Sequence, residues 1–313
     1  MEAAFPLLVI AGPTGSGKTP LALHLAERFH GEIVNFDSMQ VYCGFDLGTA
    51  KPSREELARV PHHFIGEVAP DAVFTAGEYA RRARERLAGL NERGVLPVLV
   101  GGTGFYLQAL LEGLFPGPPR DEALRVRLRQ RAAARGPEHV HRILQRLDAA
   151  AAATIAPRDL ARAIRAVEVR LQSGRRMSEL WRLHPPQALA GVHPIKVGLN
   201  PPRAALYARI DQRAATMFGG GIQEETRRLL TRYPTTLPVF AAHGYKQACD
   251  ILLRGRPLDT ALPEAQQEQR RYAKRQWTWF RRDPAMHWLD GFGDDDAVQA
   301  DAAVWVEQRL AGG

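Results

Sequence analysis

The chain is poor in the residues that staple secreted proteins and anchor membrane proteins. Its 313 residues include two cysteines, Cys43 and Cys249, too few for a disulfide framework or a cysteine metal quartet. No apolar run reaches bilayer-spanning length. The first such run leads straight into a glycine-rich loop, unlike a cleavable signal. A cytoplasmic location is the expectation. Lysine is scarce as well: Lys18, Lys51, Lys196, Lys246 and Lys274 are the five, and the other basic residues are arginines. At 45% hydrophobic and 24% charged residues, the composition excludes a disordered chain.

The net charge is +8 and the pI about 9.9. Residues 116–190 hold fifteen arginines against seven acidic residues, and charges elsewhere cancel. A uniform arginine bias would follow from coding composition, but an excess confined to one segment points to a polyanionic partner.

Chemistry enters with Gly12-Pro13-Thr14-Gly15-Ser16-Gly17-Lys18-Thr19. An apolar run, Leu7 to Ala11, precedes it, and a helical pattern from Pro20 follows. Strand, Gly-x-x-x-x-Gly-Lys-Thr and helix make the P-loop arrangement. Glycines let backbone N–H groups turn inward around an anion at a positive helix N-terminus. Lys18 adds a point charge, and the Thr19 hydroxyl suits a magnesium ion. The ligand therefore carries a di- or triphosphate.

Residues 32–36 read as a second strand ending at Asp37, which suits a general base, a magnesium-positioning carboxylate or a simple turn cap. The segment from Ser38 to Glu56 reads as an active-site loop, and 61–65 as a short edge element. His62 and His63 are adjacent, so they point apart on a strand and read as structural. Residues 75–93 predict a helix, and 96–100 a strand running into Gly101-Gly102-Thr103-Gly104 and a helix through Leu111. Alternating strands and helices predict an α/β fold: a P-loop NTPase-like core with a mostly parallel sheet. Loops after such strands share the carboxyl edge, which gathers the P-loop, Asp37 and residues 101–104 around one crevice.

Prolines at 116–119 and 185–186 bracket a helical insertion, assigned to 116–190, within a core of 1–115 and 191–313. In its third helix Leu160, Ile164, Val167 and Leu171 form an apolar stripe. Arg158, Arg162 and Arg165 share another face, and Gly174 suits the C-cap. A strand at 195–199 resumes the core, followed by a helical stretch to about 232. The last clear helix spans 264–282, where Arg271, Lys274, Arg275 and Arg282 share a face among Trp277, Trp279 and Phe280. Such interleaving suits nucleic acid, or a solvated basic face. Two classes fit: an enzyme transferring a group from a phosphorylated donor to nucleic acid, and a nucleotide-triggered binding switch. The switch lacks an Asn-Lys-x-Asp segment, and a small-molecule P-loop kinase leaves the localised charge without a role.

The ordered motifs AGPTGSGKT (11–19), DSMQVY (37–42), DLGTAKP (46–52), PHHF (61–64), VGGTGFYLQALLEG (100–113), RAIRAVEV (162–169), RIDQR (209–213), GYKQ (244–247) and YAKRQWTWFRRD (272–283) resemble the tRNA dimethylallyltransferase, or tRNA isopentenyltransferase, family over nearly the whole chain. The resemblance implies transfer of a dimethylallyl group from dimethylallyl diphosphate to the exocyclic amine of the adenosine 3′ to the anticodon. The P-loop, residues Gly12 to Thr19, would then hold the diphosphate with Mg²⁺ on Thr19. Arg213 would clamp it, and Lys18 would stabilise the leaving charge. Asp37 would take the amine's proton, and Thr103 would hold the flipped adenosine. Implied tRNA contacts are Asp37, Ser38, Met39 and Gln40; Arg125; Ala161, Arg162, Ala163, Ile164 and Arg165; Ala241, Ala242, His243, Gly244, Tyr245 and Lys246; and Lys274, Arg275, Gln276, Trp277, Thr278, Trp279, Phe280 and Arg281. The partners implied are the tRNA anticodon stem-loop and dimethylallyl diphosphate, with no membrane, for an enzyme acting as a monomer. A related prenyltransferase using free adenylate is the neighbouring alternative.

Overall fold

The computed structural model describes residues 4–312. Its first core segment comprises β1 (Phe5–Ala11), α1 (Lys18–Arg28), β2 (Gly31–Asn35), α2 (Arg54–Arg59), β3 (His62–His63), α3 (Ala76–Glu92), β4 (Leu96–Val100) and α4 (Gly104–Leu111). Helices alone follow: α5 (Glu122–Arg135), α6 (Pro137–Leu147), α7 (Ala149–Thr154), α8 (Leu160–Ser173) and α9 (Met177–Leu183). The core resumes with β5 (Val192–Leu199), α10 (Arg203–Gly219), α11 (Ile222–Leu230), a 3₁₀ turn (Pro238–Ala241) and α12 (Tyr245–Arg254). It ends with α13 (Leu258–Phe280), β6 (His287–Leu289) and α14 (Asp296–Ala311).

Six strands form one sheet in the order β3-β2-β4-β1-β5-β6, every pair parallel. All residues of β2 and β4 are buried, as expected of strands covered on both faces. From β1 the chain crosses to one side of the sheet and later returns to the other, leaving a crevice at the carboxyl end of β1. One core layer joins Leu8, Ile10, Leu21, Leu25, Ile33, Val98 and Val197 to Val298 and Val306 of α14. No helix among the described residues is long and apolar enough to cross a membrane.

Three parts of the core differ from the sequence reading. A short helix, α2, lies inside the segment read as loop; Ser53 and Glu56 close it with a reciprocal capping box. The basic-aromatic helix begins at Leu258 rather than Glu264 and runs through Pro263. Beyond it lie β6 and α14, which the sequence reading left without structure. β6 is three residues long, and the outer residues of α14 are mostly alanine and charged, so both lack a strong period.

The chain divides into two compact units, and the helical one spans Glu112–Ala188. It therefore begins before the Pro116–Pro119 run, whose Pro118 carbonyl accepts a hydrogen bond from Arg165 within that unit. At the matching junction of the other unit, Leu189 N donates to Leu111 O at 2.8 Å. Asp121 and Asp159 cap α5 and α8, and Gly174 ends α8 in the left-handed region at φ 69°. Arg158 precedes the Asp159 cap and pairs with Glu138, off the helix that carries Arg162 and Arg165. Leu124, Leu128, Val140, Leu144, Ile164 and Val167 form the helical core.

A carboxylate lies in that core. Glu168 has no exposed side-chain surface, and Arg125, Arg165 and the Asp121 amide all donate to it at 2.7–2.8 Å. Burial pushes its carboxyl up, but those donors outweigh burial and hold it at about 2, below the usual 4.5. Glu168→Ala is expected to destabilise the helical unit by about 3–5 kcal/mol, because it strands buried arginines. A folded-state value below the unfolded one gives stability that is complete above about pH 4.5 and lost as pH falls towards 2. Acid unfolding followed by hydrogen exchange in α5 and α8 should show that limb in the native protein and a flattened one in Glu168→Gln.

Candidate active site

β1 delivers the P-loop to the carboxyl edge of the sheet. Gly17 initiates α1 in the left-handed region at φ 84°, and a Cβ there would lie 2.6 Å from Asp294 Oδ1. Gly293 N donates to Ser16 O at 2.9 Å, and Arg209 pairs with Asp294. The connector between β6 and α14 thus presses on the back of the loop. Ser16 Oγ is buried without a hydrogen-bond partner among the described residues.

Two cations converge on the loop. Lys18 Nζ donates to Pro13 O at 2.9 Å, and Arg213 of α10 donates to Thr14 Oγ1 at 2.6 Å, while its buried Nε has no hydrogen-bond partner among the described residues. Burial pulls Lys18 from 10.5 to about 8; the Asp37 charge opposes this and Arg213 adds to it. Burial also lowers Arg213 to about 10, with Arg209 in the same direction and Asp37 against. Keeping Lys18 charged in this setting costs roughly 3 kcal/mol, which a bound anion would offset.

Asp37 faces these cations from the loop after β2. Asn35 accepts from Asp37 N at 3.2 Å and donates to Phe64 O at 3.0 Å, fixing the turn. Asp37 Oδ1 accepts from Met39 N at 2.8 Å and Gln40 N at 3.4 Å. Its Oδ2 is engaged by no hydrogen bond among the described residues. Ser38 N donates to Thr103 Oγ1 at 3.0 Å, and Thr103 donates to Ser38 Oγ at 3.2 Å. Gln40 ties in the next loop by donating to the carbonyls of Thr49 and Ala50. A cavity of about 740 Å³ has Thr14, Gly15, Gly17, Lys18, Thr19 and Arg213 on one side and Asp37 and Gln40 on another. Ile33, Ala50, Pro52, Ile65 and Val100 add apolar walls. Such a cavity can hold an anionic head with an apolar tail, next to a carboxylate able to accept a proton.

The glycines at 101–104 provide clearance. A Cβ on Gly102 would overlap Gln276 Nε2, and one on Gly104 would overlap the Trp279 indole. Gln276 donates from Nε2 to Gly102 O at 3.0 Å and accepts from Thr14 N at 2.7 Å. Tyr272, one turn earlier on α13, lies with its hydroxyl against Thr103 and Gln276; burial first, then the Asp37 charge, push that hydroxyl up.

The residues expected to meet tRNA divide by exposure. Ala161 and Arg162 are exposed on α8, whereas Ala163 and Ile164 are buried in the helical core. Arg125 and Arg165 are held by Glu168, whose charge they balance. Ala241 and Lys246 are exposed, and Ala242 and His243 half-buried; Lys246 bridges Glu264 and Glu268, and His243 pairs with Glu268. Gly244 and Tyr245 are buried. Tyr245 donates to Glu225 and accepts from Gly48 N, while Glu225 also accepts from the Asp46 and Leu47 amides. The Gly-Tyr motif thus clamps the loop that carries Thr49 and Ala50. On α13, Lys274, Arg275, Thr278 and Arg281 are exposed, Trp279 is half-buried, and Gln276, Trp277 and Phe280 are buried. Gln276 lines the site cavity rather than an outward face, and Trp277 and Phe280 are almost wholly covered. Sequence reasoning assigned no role to Asn35, Arg209, Glu225 or Tyr272, although the spacing of Tyr272 and Gln276 places both on one helix face.

The parallel order, the loop after β1 and the flanking helices define a P-loop NTPase-like α/β protein whose crevice sets two cations beside a carboxylate. The model of the IPP transferase family matches residues 40–283, and the chain belongs to that family. A tRNA dimethylallyltransferase of Koribacter versatilis is 52% identical over 95% of this chain and 96% of its own length. One of Solibacter usitatus is 49% identical over 97% of this chain and 99% of its own. Among solved structures, the tRNA isopentenylpyrophosphate transferase of Bacillus halodurans has a TM-score of 0.70 and 34% identity, covering 98% of this chain and 99% of that one. A eukaryotic dimethylallyltransferase acting on tRNA has a TM-score of 0.79 and 25% identity, covering 98% of this chain and 78% of that one.

Lys18 gives the site a pH signature. Its affinity for inorganic diphosphate should fall by up to about tenfold per pH unit above about pH 8, as the ammonium is lost before binding. Titration calorimetry across pH should find that extra fall absent from Lys18→Ala, which binds more weakly throughout. Equal pH slopes in the two proteins would remove Lys18 from the diphosphate site.

Proposed function

We propose that the protein transfers a dimethylallyl group from dimethylallyl diphosphate to the exocyclic amine of the adenosine 3′-adjacent to the anticodon in tRNA, releasing diphosphate. The observation that carries this reading is the pairing, across one cavity, of a desolvated cationic loop with Asp37, whose second oxygen is unengaged. The amine nitrogen attacks the allylic carbon, the carbon–oxygen bond breaks, and diphosphate leaves with the bonding pair. Lys18, Arg213 and the P-loop amides stabilise the charge that builds on it. Asp37 accepts the proton from the attacking amine, which is too weak a nucleophile to react well with that proton in place. Thr103, beside Ser38 and Asp37, holds the unstacked base.

Magnesium fits the residues present. No group of three or more His, Cys, Asp or Glu among the described residues is placed to hold a metal, and Thr19 lines the cavity. That donor set suits an ion bound chiefly through substrate phosphates and water. When bound, magnesium would help neutralise the departing diphosphate. The exposed arginines of residues 112–188, Arg162 among them, and Lys274, Arg275 and Arg281 supply the RNA-facing charge.

Incubation with labelled dimethylallyl diphosphate and an anticodon stem-loop tests the reading. Label in RNA is expected; label on free AMP or ATP would identify an adenylate prenyltransferase, and ATP turnover with a small acceptor a kinase. Asp37→Ala should slow transfer by about 100-fold or more with RNA affinity nearly unchanged, and equal loss of both would end its role as base. Arg162→Ala should weaken RNA binding and reduce the salt slope by about one.

A further inference from the structure

Gln276 bonds both the P-loop and the loop after β4. Its Oε1 accepts from Thr14 N at 2.7 Å, and its Nε2 donates to Gly102 O at 3.0 Å. The two partners fix the orientation of the amide, since one can only donate and the other only accept. The residue is 4% exposed, so neither bond competes much with water. Thr14 also receives Arg213, and the residue after Gly102 is Thr103, which holds Ser38 beside Asp37. Tyr272 closes the arrangement by resting its hydroxyl against both Thr103 and Gln276. The bare Gly102 is what allows the amide this close.

From this connection we propose that Gln276, supported by Tyr272, is a positioning residue that sets the separation between the donor held by the P-loop and the acceptor held at Thr103 and Asp37. The proposal rests on the transferase reading above and adds to it how the two substrates are brought into register. Group transfer needs the reacting atoms about 3–3.5 Å apart, and a misplacement of about 1 Å costs about 100-fold. Both polar atoms of the Gln276 amide are taken by backbone partners. It acts through one backbone amide on the donor side and one backbone carbonyl on the acceptor side. Glutamate could keep the first bond but not the second, because a carboxylate offers Gly102 O no proton. Methionine matches the length and makes neither bond.

Two measurements separate this role from simple support of the fold. In Gln276→Met and Gln276→Glu, kcat is expected to fall by about 30- to 100-fold while donor KM and stem-loop Kd change by less than about threefold. The second measurement needs no turnover. Inorganic diphosphate added to the full-length protein without RNA should slow hydrogen exchange at the P-loop and also at residues 101–104. In Gln276→Met the protection should stop at the P-loop. A kcat within about threefold of native, or protection of 101–104 that persists in Gln276→Met, overturns the proposal. A native protein that carries no prenyl group to RNA would instead overturn the transferase reading, while the exchange result still reports on Gln276.

Discussion

Two half-buried cations share the crevice at the carboxyl end of β1. Lys18 and Arg213 approach the same loop, each weakened as a cation first by burial and then by a neighbouring arginine, with Asp37 as the opposing charge. A dianion placed between Lys18 and Arg213 would offset the burial of both charges. Much of the core serves to maintain the site. The left-handed Gly17 and the Gly293–Asp294 connector shape the loop, α10 brings Arg213, and α13 braces Thr14 through Gln276. Charge on the bridging oxygen grows as the carbon departs, so these cations would stabilise the leaving diphosphate more than the incoming donor.

Asp37 is treated differently. Its Oδ1 is fixed by two backbone amides and its Oδ2 by none, so one oxygen orients the group and the other remains able to accept a proton. Asn35, itself anchored to Phe64 O, fixes the backbone beneath it. The Thr103–Ser38 pair links this turn to the loop after β4. Anchoring Oδ1 to Met39 N and Gln40 N holds the carboxylate within its own turn.

The sequence conveyed the local devices and little of what joins them. The P-loop spacing, the strand ending at Asp37 and the glycine run at 101–104 are contiguous, and contiguous signals survive without a fold. Glu225, Tyr245 and Gln276 are not of that kind. A glutamate or glutamine on a helix reads as solvated surface until the fold turns that face inward. The basic-aromatic stretch of α13 misled in the same way: Trp277 and Phe280 are core, while Lys274, Arg275 and Arg281 reach solvent. In the helical unit, arginine count overstated the free charge, because Arg125 and Arg165 are committed to Glu168. β6 and α14 carried too weak a period to be read, although their connector backs the P-loop.

Helix α13 illustrates how one element can serve recognition and chemistry without a large motion. Its exposed cations and the inward-facing Tyr272 and Gln276 belong to one helix, so a displacement on one face moves the other. A polyanion bound to the outer face would hold α13 in place. Through Gln276 that restraint reaches Thr14 N and Gly102 O, one on each side of the reaction. Geometry that depends on a single buried amide is demanding: a shift too small to alter binding is enough to separate the reacting atoms. A device of this kind discriminates between substrates at the transition state, because a wrong acceptor that binds with similar affinity but holds α13 slightly differently loses rate instead of affinity.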